Sequence, residues 1–498
     1  MPKTEGGSKL KRFLFHNQST AQTIAKNTFW LSFGEVFGRL FKVGLIIYAA
    51  RILGAAGYGT FSYMTSLAAM LTIFSDMGLT GILIREGARS EELRRAYFAT
   101  SLFIKLIIIV FSFAVIVLVS PRITNTPLSS TLVYAIGLLT VFDALRAFGN
   151  AIFRAEERMQ FEAGTNILTQ VSILAAGMYA LIFFPSPETL AIAYALGSAV
   201  GLIAITFLVR KYLRSVFKFF RKDLIKTILI AGWPMGISAI FGGFLINTDT
   251  VMIGWFKTAE QVGFYSAAQK PIAFLYLLPA LIVSGIFPVM ARYAKSDRNK
   301  FREVMEKGLS MTILIAYPLV AGIALNASQI VELFYGAEFI SATAPLIVLS
   351  LTLLITFPGT VIMNAIFAFD RQKEMVPVWI IGALLNVSLN LLLIPHIGTV
   401  GAALTSLLSQ ILVTGTFWHK MNKINSFNLF RHAVSIIKAT LLVIIGILTM
   451  NFIGVPFIVM VLFSILIYLG ALLLFKDPTL KDILETIKAH YDTEPYKA

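Results

Sequence analysis

Three ionisable residues lie on one face of a long apolar segment near the start of the chain. Glu35, Arg39 and Lys42 stand at positions i, i+4 and i+7, which places their side chains on one side of an α-helix. Glu35 and Arg39 can pair across one turn, which leaves Lys42 as the net positive charge. Ionisable groups inside an apolar helix are costly unless they face a cavity or each other, so we expect Arg39 and Lys42 to line a polar cavity.

Other apolar segments also contain ionisable residues. Asp143 and Arg146 stand three residues apart and can form a charge pair. Charged groups in apolar segments otherwise face a cavity or take part in carrying an ion. The candidates for ion coupling or charge pairing are Glu35, Asp76, Asp143, Arg146 and Asp249.

Lys270 is a third cation that we expect to line a cavity, because it stands directly before Pro271 in an apolar segment. A Lys-Pro step favours an interrupted helix beside a water-filled space. The amides of Asn247, Asn386 and Asn390 are candidates for the polar lining of a cavity. Asn386 and Asn390, at i and i+4, could equally bond between helices.

Four charged residues have a purely structural alternative. Lys105 and Lys438 lie near the cytoplasmic ends of their predicted segments, so we expect their ammonium groups to extend to the membrane surface. Asp76 and Asp249 approach the ends of theirs and could cap a helix or pair at the interface.

The segments that carry these residues are apolar on nearly all faces. Of the 498 residues, 57% are hydrophobic and only 14% are charged, against about 25% in soluble domains. Because one membrane-spanning helix needs roughly 20 apolar residues, the composition allows about 14 spans. The chain is therefore predicted to be an all-α, polytopic membrane protein. The predicted helices are 24–50, 58–82, 97–119, 131–153, 164–184, 189–209, 227–255, 264–290, 308–326, 343–368, 376–394, 399–418, 433–453 and 455–475.

The basic residues predict the orientation of these spans. With both termini in the cytoplasm, 33 of the 42 Lys and Arg residues fall in cytoplasmic segments and three in outer loops. The formal net charge of +16 is then a consequence of topology, so no nucleic-acid partner is expected.

Several kinds of chemistry have no residues to support them. The chain has no cysteine, its five histidines are scattered, and it lacks a phosphate-binding loop of the G-x-x-x-x-G-K-[ST] type. The predicted outer loops are short and nearly without carboxylates. We therefore predict that the chain is not an enzyme and needs no cofactor.

Two short sequence echoes indicate an internal repeat. NAIF occurs at 150–153 and at 364–367, and GYGTFSY at 57–63 is echoed by GFYSAAQ at 263–269. Echoes six spans apart predict two parallel six-helix lobes around a central cavity, followed by two extra helices. The predicted divisions are a polar cytoplasmic tail (1–23), an N-terminal lobe (24–216), a C-terminal lobe (217–430), spans 13 and 14 (431–475) and a cytoplasmic tail (476–498).

Five stretches together resemble a known family. They are 50–67, 74–86, 247–271, 333–350 and 378–410. They resemble polysaccharide-transporter proteins, the O-antigen-type lipid-linked oligosaccharide flippases of the multidrug/oligosaccharidyl-lipid/polysaccharide superfamily. The resemblance implies alternating access and a polyprenyl-(pyro)phosphate-linked sugar as substrate, with Arg39, Lys42 and Lys270 fitting the phosphate. Related peptidoglycan-precursor flippases also carry a cation on the second span, where this chain has Asp76 instead.

The resemblance implies a flippase of the cytoplasmic membrane that moves a lipid-linked oligosaccharide to the outer leaflet. Implied partners are that substrate, membrane lipids, a coupling H⁺ or Na⁺, and a glycan polymerase or glycosyltransferases of the same pathway. The alternative is an ion-coupled multidrug/cation antiporter of the same superfamily. Such antiporters usually have twelve spans and an acidic cavity, whereas the first span here carries an excess of cations.

Overall fold

The computed structural model describes residues 20–72, 76–122, 124, 128–428, 433–482 and 484–485. The predicted tails, 1–23 and 476–498, lie mostly outside these residues. The described residues form helices and their connections, with no strand among them. The helices are α1 Thr20–Thr72, α2 Leu79–Gly87, α3 Glu91–Val119, α4 Ser130–Ala155, α5 Met159–Phe183, α6 Pro187–Leu208, α7 Arg210–Leu213, α8 Val216–Phe219, α9 Asp223–Phe256, α10 Ala259–Leu275, α11 Leu277–Ala294, α12 Arg298–Leu325, α13 Ala327–Tyr335, α14 Thr343–Ala368, α15 Val376–Ile424, α16 Ala433–Ile453 and α17 Phe457–Leu474.

Most of these helices have the length and composition of membrane spans. Within the described residues, eleven helical stretches are long and apolar enough to cross a membrane. This confirms the prediction of an all-α polytopic membrane protein. Two of the stretches contain a sharp break, at Gly54 in α1 (φ 67°) and at Gly398 in α15 (φ 57°), close to two predicted hairpins. The total of fourteen spans stays a prediction.

The chain divides into two compact units, Met1–Gly263 and Phe264–Ala498. In the first unit, α5 packs against α1 and α6, and α9 packs along α1 and beside α2. In the second unit, α14 packs against α12 and α15, and α16 pairs with α17 on one side of α12. Because α9 contacts helices of the first unit, the compact units divide after Gly263. The predicted boundary between the N-terminal and C-terminal lobes, at residue 217, stays a prediction.

The helices that end in the NAIF echo also end in the same local structure. After α4 the chain turns at Glu157 (φ 56°), and after α14 it turns at Asp370 (φ 59°). The next N–H in each case, that of Arg158 or Arg371, donates to the carbonyl five residues earlier. This is the Schellman arrangement, which satisfies carbonyls left open at a helix end. The echo therefore corresponds to a repeated structure.

Two helix starts in the first unit cross at very close range. The second arm of α1 begins after Gly54 with Ala55 and Gly59, and α10 begins with Ala259 and reaches Gly263. A Cβ placed on Gly59 would overlap the carbonyl oxygen of Ala259, and a Cβ on Gly263 would overlap that of Ala55. The contact is therefore reciprocal. It brings together the starts of the two helices that carry the second echo, through small residues four positions apart.

Candidate functional site

The predicted charged face of α1 is present. The Arg39 Nε donates to Glu35 Oε1 at 2.7 Å, and the two side chains are 40% and 51% exposed. Lys42 is also exposed, and it makes no ion pair with any residue in the described part of the chain. The net cation expected from the spacing is therefore Lys42.

The neighbouring glycines of α1 hold it against α5. A Cβ on Gly34 would lie 3.1 Å from the Ala163 Cα, and a Cβ on Gly38 would lie 3.3 Å from the Gln170 Cγ. Gly34, Gly38 and Lys42 stand four residues apart, so the side of α1 on which they lie runs alongside residues 163–170 of α5. This part of α5 contains Asn166.

Asn166 belongs to a polar network across α4, α5 and α6. The predicted pair forms, with Arg146 Nη2 donating to Asp143 Oδ1 at 3.1 Å. Ser198 Oγ on α6 donates to the same oxygen at 2.5 Å, and Arg146 Nη1 donates to Asn166 Oδ1. The Arg146 side chain is 14% exposed, whereas that of Asp143 is 46% exposed. Sequence spacing revealed the pair on α4 but not its partners on α5 and α6.

Asp76 has a partner that the sequence did not suggest. Lys105 Nζ donates to Asp76 Oδ1 at 2.7 Å, and Thr80 Oγ1 donates to the same oxygen at 2.5 Å. The Lys105 side chain is only 3% exposed. The expected extension of Lys105 to the membrane surface is wrong, because its side chain is buried and its ammonium group pairs with Asp76. Lys105 is the central residue of the 29-residue helix α3.

The predicted continuous helix over 58–82 is also wrong. α1 ends at Thr72 and α2 begins at Leu79, and between them Met77 (φ 42°) and Gly78 (φ 79°) have left-handed backbones. A Cβ on Gly78 would overlap the backbone of Gly232, so α9 approaches this turn very closely. Asp76 therefore stands at the interruption of a helix. Such interruptions are tolerated in membrane proteins where protein or a polar cavity surrounds them.

Lys270 lies in the second unit and is partly buried. Helix α10 continues through Pro271 to Leu275, and the interruption before α11 falls at Tyr276. The helix break predicted at the Lys-Pro step therefore lies five residues after the proline. The Tyr276 hydroxyl lies 2.9 Å from Thr352 Oγ1 on α14, which anchors this break within the second unit.

The remaining candidates differ in burial. Asp249 on α9 is 1% exposed, and Asn247 on the same helix is partly buried. On α15, Asn390 Nδ2 donates to Asn386 Oδ1 at 3.1 Å, and both residues are buried. Because both amides are buried and bonded to each other within one helix, this geometry favours a packing role over the lining of a cavity. Lys438 is exposed, with its Nζ 5.9 Å from the centre of the Phe475 ring.

Ion pairs that the sequence did not predict follow the NAIF helices in both units. In the first unit, Glu156 accepts from Arg94 Nη1 at 3.1 Å and from the Tyr212 hydroxyl. Burial raises the pKa of Tyr212, so its hydroxyl remains a hydrogen-bond donor at neutral pH. In the second unit, Lys295 pairs with Asp370 at 2.6 Å. In each unit, a basic residue from elsewhere in the chain thus pairs with an acidic residue at the end of the NAIF helix.

The described helices define a class of membrane transporter fold. The chain aligns with the structure "Lipid II flippase MurJ, inward closed conformation" with a TM-score of 0.72 and 17% identity, over 91% of this chain and 98% of that one. It aligns with an inward-facing multidrug resistance MATE family transporter of the MOP superfamily with a TM-score of 0.64 and 16% identity, over 78% of this chain and 95% of that one.

Sequence comparison identifies the family. The model of the family "Polysaccharide biosynthesis protein" matches residues 24–294, and the chain belongs to this family. A relative from Haloferax volcanii, named "Probable low-salt glycan biosynthesis flippase Agl15", is 24% identical over 471 residues. The match covers 91% of this chain and 96% of that protein.

Proposed function

We propose that this protein is a flippase. It moves a polyprenyl-(pyro)phosphate-linked oligosaccharide from the cytoplasmic to the outer leaflet of the cell membrane by alternating access, with both termini in the cytoplasm. The reaction makes and breaks no covalent bond, so the protein is a transporter and not an enzyme.

The observation that carries this proposal is the exposed charged face of α1 in a member of the polysaccharide biosynthesis family. Charges on a membrane-spanning helix are costly unless they meet water or a polar ligand. Arg39 and Lys42 supply cations suited to a phosphate, and Lys270 is the corresponding candidate from the second unit. The name of the Haloferax relative, a glycan biosynthesis flippase, points to the same class of cargo.

Energy for directional transport comes from coupling to H⁺ or Na⁺ in this proposal. Asp76, Asp249 and Glu35 are the candidate carriers, because each places a carboxylate in or beside a membrane-length helix. The proposed pathway partners are a glycan polymerase or glycosyltransferases, which make the substrate or consume the product.

The proposal is tested by deleting the gene and following the lipid-linked glycan. We expect the glycan to accumulate in the cytoplasmic leaflet, inaccessible to a lectin added outside the cells, and the wild-type gene to restore exposure. Lys42→Ala and Lys270→Ala should lower exposure of the glycan by about tenfold, the effect of losing one charge-assisted hydrogen bond.

Lys438→Ala is the matched control, because Lys438 is an exposed membrane-helix lysine outside the proposed site. It should transport normally at equal expression. A deletion strain that accumulates no glycan would refute the flippase function. Normal transport by the Lys42 and Lys270 variants would instead remove those two residues from the site.

The similarity to a MATE transporter keeps one alternative, an ion-coupled multidrug/cation antiporter. At this level of identity the similarity concerns the fold alone. An excess of exposed positive charge on α1 would repel a cationic drug, which makes this alternative the weaker one. Efflux of a cationic dye from vesicles, driven by a proton or sodium gradient, would support it.

A further inference from the structure

Asp143 has one carboxylate oxygen that is engaged and one that is open. Arg146 and Ser198 both donate to Oδ1, and no described residue donates to Oδ2. Asp143 lies near the middle of α4, yet its side chain is nearly half exposed. A carboxylate at that depth needs water or a polar ligand, because lipid chains cannot solvate it.

Asn166 presents the complementary group beside it. Arginine only donates hydrogen bonds, so the amide oxygen of Asn166 faces Arg146 and its Nδ2 carries two N–H donors. Across the described part of the chain, no acceptor bonds to this Nδ2. One guanidinium holds both residues, so an open acceptor and an open donor lie next to each other.

Asp143 lies on the side of α4 opposite to the side chains that contact lipid. Tyr134 and Leu138 are exposed one turn apart, as expected for side chains in contact with lipid. Asp143 follows Tyr134 by nine residues, which is about 180° around a helix at roughly 100° per residue. The side of α4 that carries Asp143 contacts Ser198 of α6.

The same part of α5 meets the side of α1 on which Gly34, Gly38 and Lys42 lie. Gly34 and Gly38 pack against Ala163 and Gln170, and Asn166 lies between these two positions on α5. The open donor and acceptor are therefore near the cations proposed to bind phosphate. In a glycan linked to a lipid by phosphate, sugar hydroxyls lie close to the phosphate.

Resting on the proposed flippase function, we infer that Asp143 and Asn166 bind two adjacent hydroxyls of a sugar ring in the lipid-linked glycan. A hydroxyl both donates and accepts, so one can donate to Asp143 Oδ2 while its neighbour accepts from Asn166 Nδ2. Arg146 and Ser198 are positioning residues, because they orient the two groups without contacting the sugar.

The experiment compares two probes on the purified full-length protein in detergent. One probe is geranyl diphosphate, and the other is the same molecule carrying a glucose on its diphosphate. Calorimetric titration gives a Kd for each, and the ratio of the two values isolates the contribution of the sugar. For the wild-type protein we expect the glucose to tighten binding by about tenfold or more, since one bond to a charged group is worth roughly that factor.

Isosteric substitutions then change the number of carboxylates beside the sugar. Asp143→Asn can keep the bond to Arg146 but replaces the charge-assisted bond to the sugar by a neutral one, so it should lower the ratio severalfold. Asn166→Asp can also keep that bond but places a second carboxylate beside the first, and the repulsion should bring the ratio close to one. The double variant Asp143→Asn/Asn166→Asp restores one carboxylate beside one amide, so it should recover the ratio. A purely structural role of the pair would change the Kd of both probes alike and leave their ratio unchanged.

A third probe, with a sugar ring that lacks adjacent hydroxyls, tests the same inference on the wild-type protein without any variant. It should bind no better than geranyl diphosphate. If the wild-type protein binds geranyl diphosphate without preferring any sugar probe, or if both single variants keep the full ratio, this site is refuted while the flippase function stands. If the wild-type protein binds neither diphosphate probe, the inference and the proposed function both fall.

Discussion

The Asp76–Lys105 pair places an ammonium group at the centre of a membrane-length helix. Lys105 is almost fully buried, and its ammonium donates to the Asp76 carboxylate, which also accepts from Thr80. The cost of burying a charge is offset mainly by its partner, so removing one partner is worse than replacing both. The pair is unequal, because the Asp76 side chain is 38% exposed and keeps part of its hydration.

This asymmetry gives a prediction for stability. Asp76→Asn leaves a buried ammonium without its counter-ion and should lower the free energy of unfolding by about 3 kcal/mol. Lys105→Met should cost less, roughly 1 kcal/mol, because the remaining carboxylate is partly hydrated. The double variant should recover most of the loss. Denaturant unfolding in detergent measures all three values.

Asp482→Asn is the matched control, since it breaks an exposed pair with Lys307 at 3.1 Å. Exposed pairs contribute about 0–1 kcal/mol, so this variant should unfold almost as the wild type does. Equal losses from Asp76→Asn and Lys105→Met would contradict the asymmetry.

Residue spacing predicted contacts within one helix and missed contacts between helices. Glu35–Arg39 and Asp143–Arg146 form as expected, because helix geometry alone brings these positions together. The bond between Lys105 and Asp76 is of the second kind, because the two residues lie 29 positions apart in the chain. Contacts between helices depend on packing, and a single sequence does not contain that information in readable form.

At the level of elements, apolar runs located the helices but not all of their ends. α3 begins at Glu91 because Ser90 caps it, accepting from the Leu93 N–H, with Glu91 and Glu92 in the first turn. These are ordinary start signals for a helix, and they lie in a charged stretch that hydropathy leaves outside the span. The interruption before α2 depends on close backbone contact with α9. Hydropathy does not report such a contact.

The close crossing of α1 and α10 in the first unit gives a prediction about thermal stability. Gly59→Ala adds a methyl group where the carbonyl of Ala259 already lies, so the melting temperature in detergent should fall by several degrees. Gly470→Ala on α17 is the control, because a Cβ there meets nothing within 4 Å. Alanine is more favourable than glycine in a helix by up to about 1 kcal/mol, so the control should leave the melting temperature unchanged or raise it. A Gly59→Ala variant with the wild-type melting temperature would contradict the close contact of these two helices.

At the level of the whole molecule, the basic residues carry most of the topological information. The proposed orientation places Lys257 outside and Lys300 inside. Because the natural chain has no cysteine, any single introduced cysteine is an unambiguous reporter.

Lys257→Cys should react in intact cells with a maleimide that cannot cross membranes. Lys300→Cys should react only after the cells are permeabilised. Both residues are charged and lie in connections or at helix starts, so the substitutions should leave folding intact. The opposite labelling pattern would invert the topology and with it the proposed direction of transport.

The crossing of Ala55 and Gly59 with Ala259 and Gly263 also carries information about ancestry. Each partner contributes an alanine and, four residues later, a glycine, and each glycine lies against the alanine of the other, which resembles an isologous contact between identical chains. An ancestral chain half as long, carrying this motif once, would have been able to pair with a second copy of itself through that surface. Gene duplication and fusion would then have made permanent a contact that earlier depended on protein concentration.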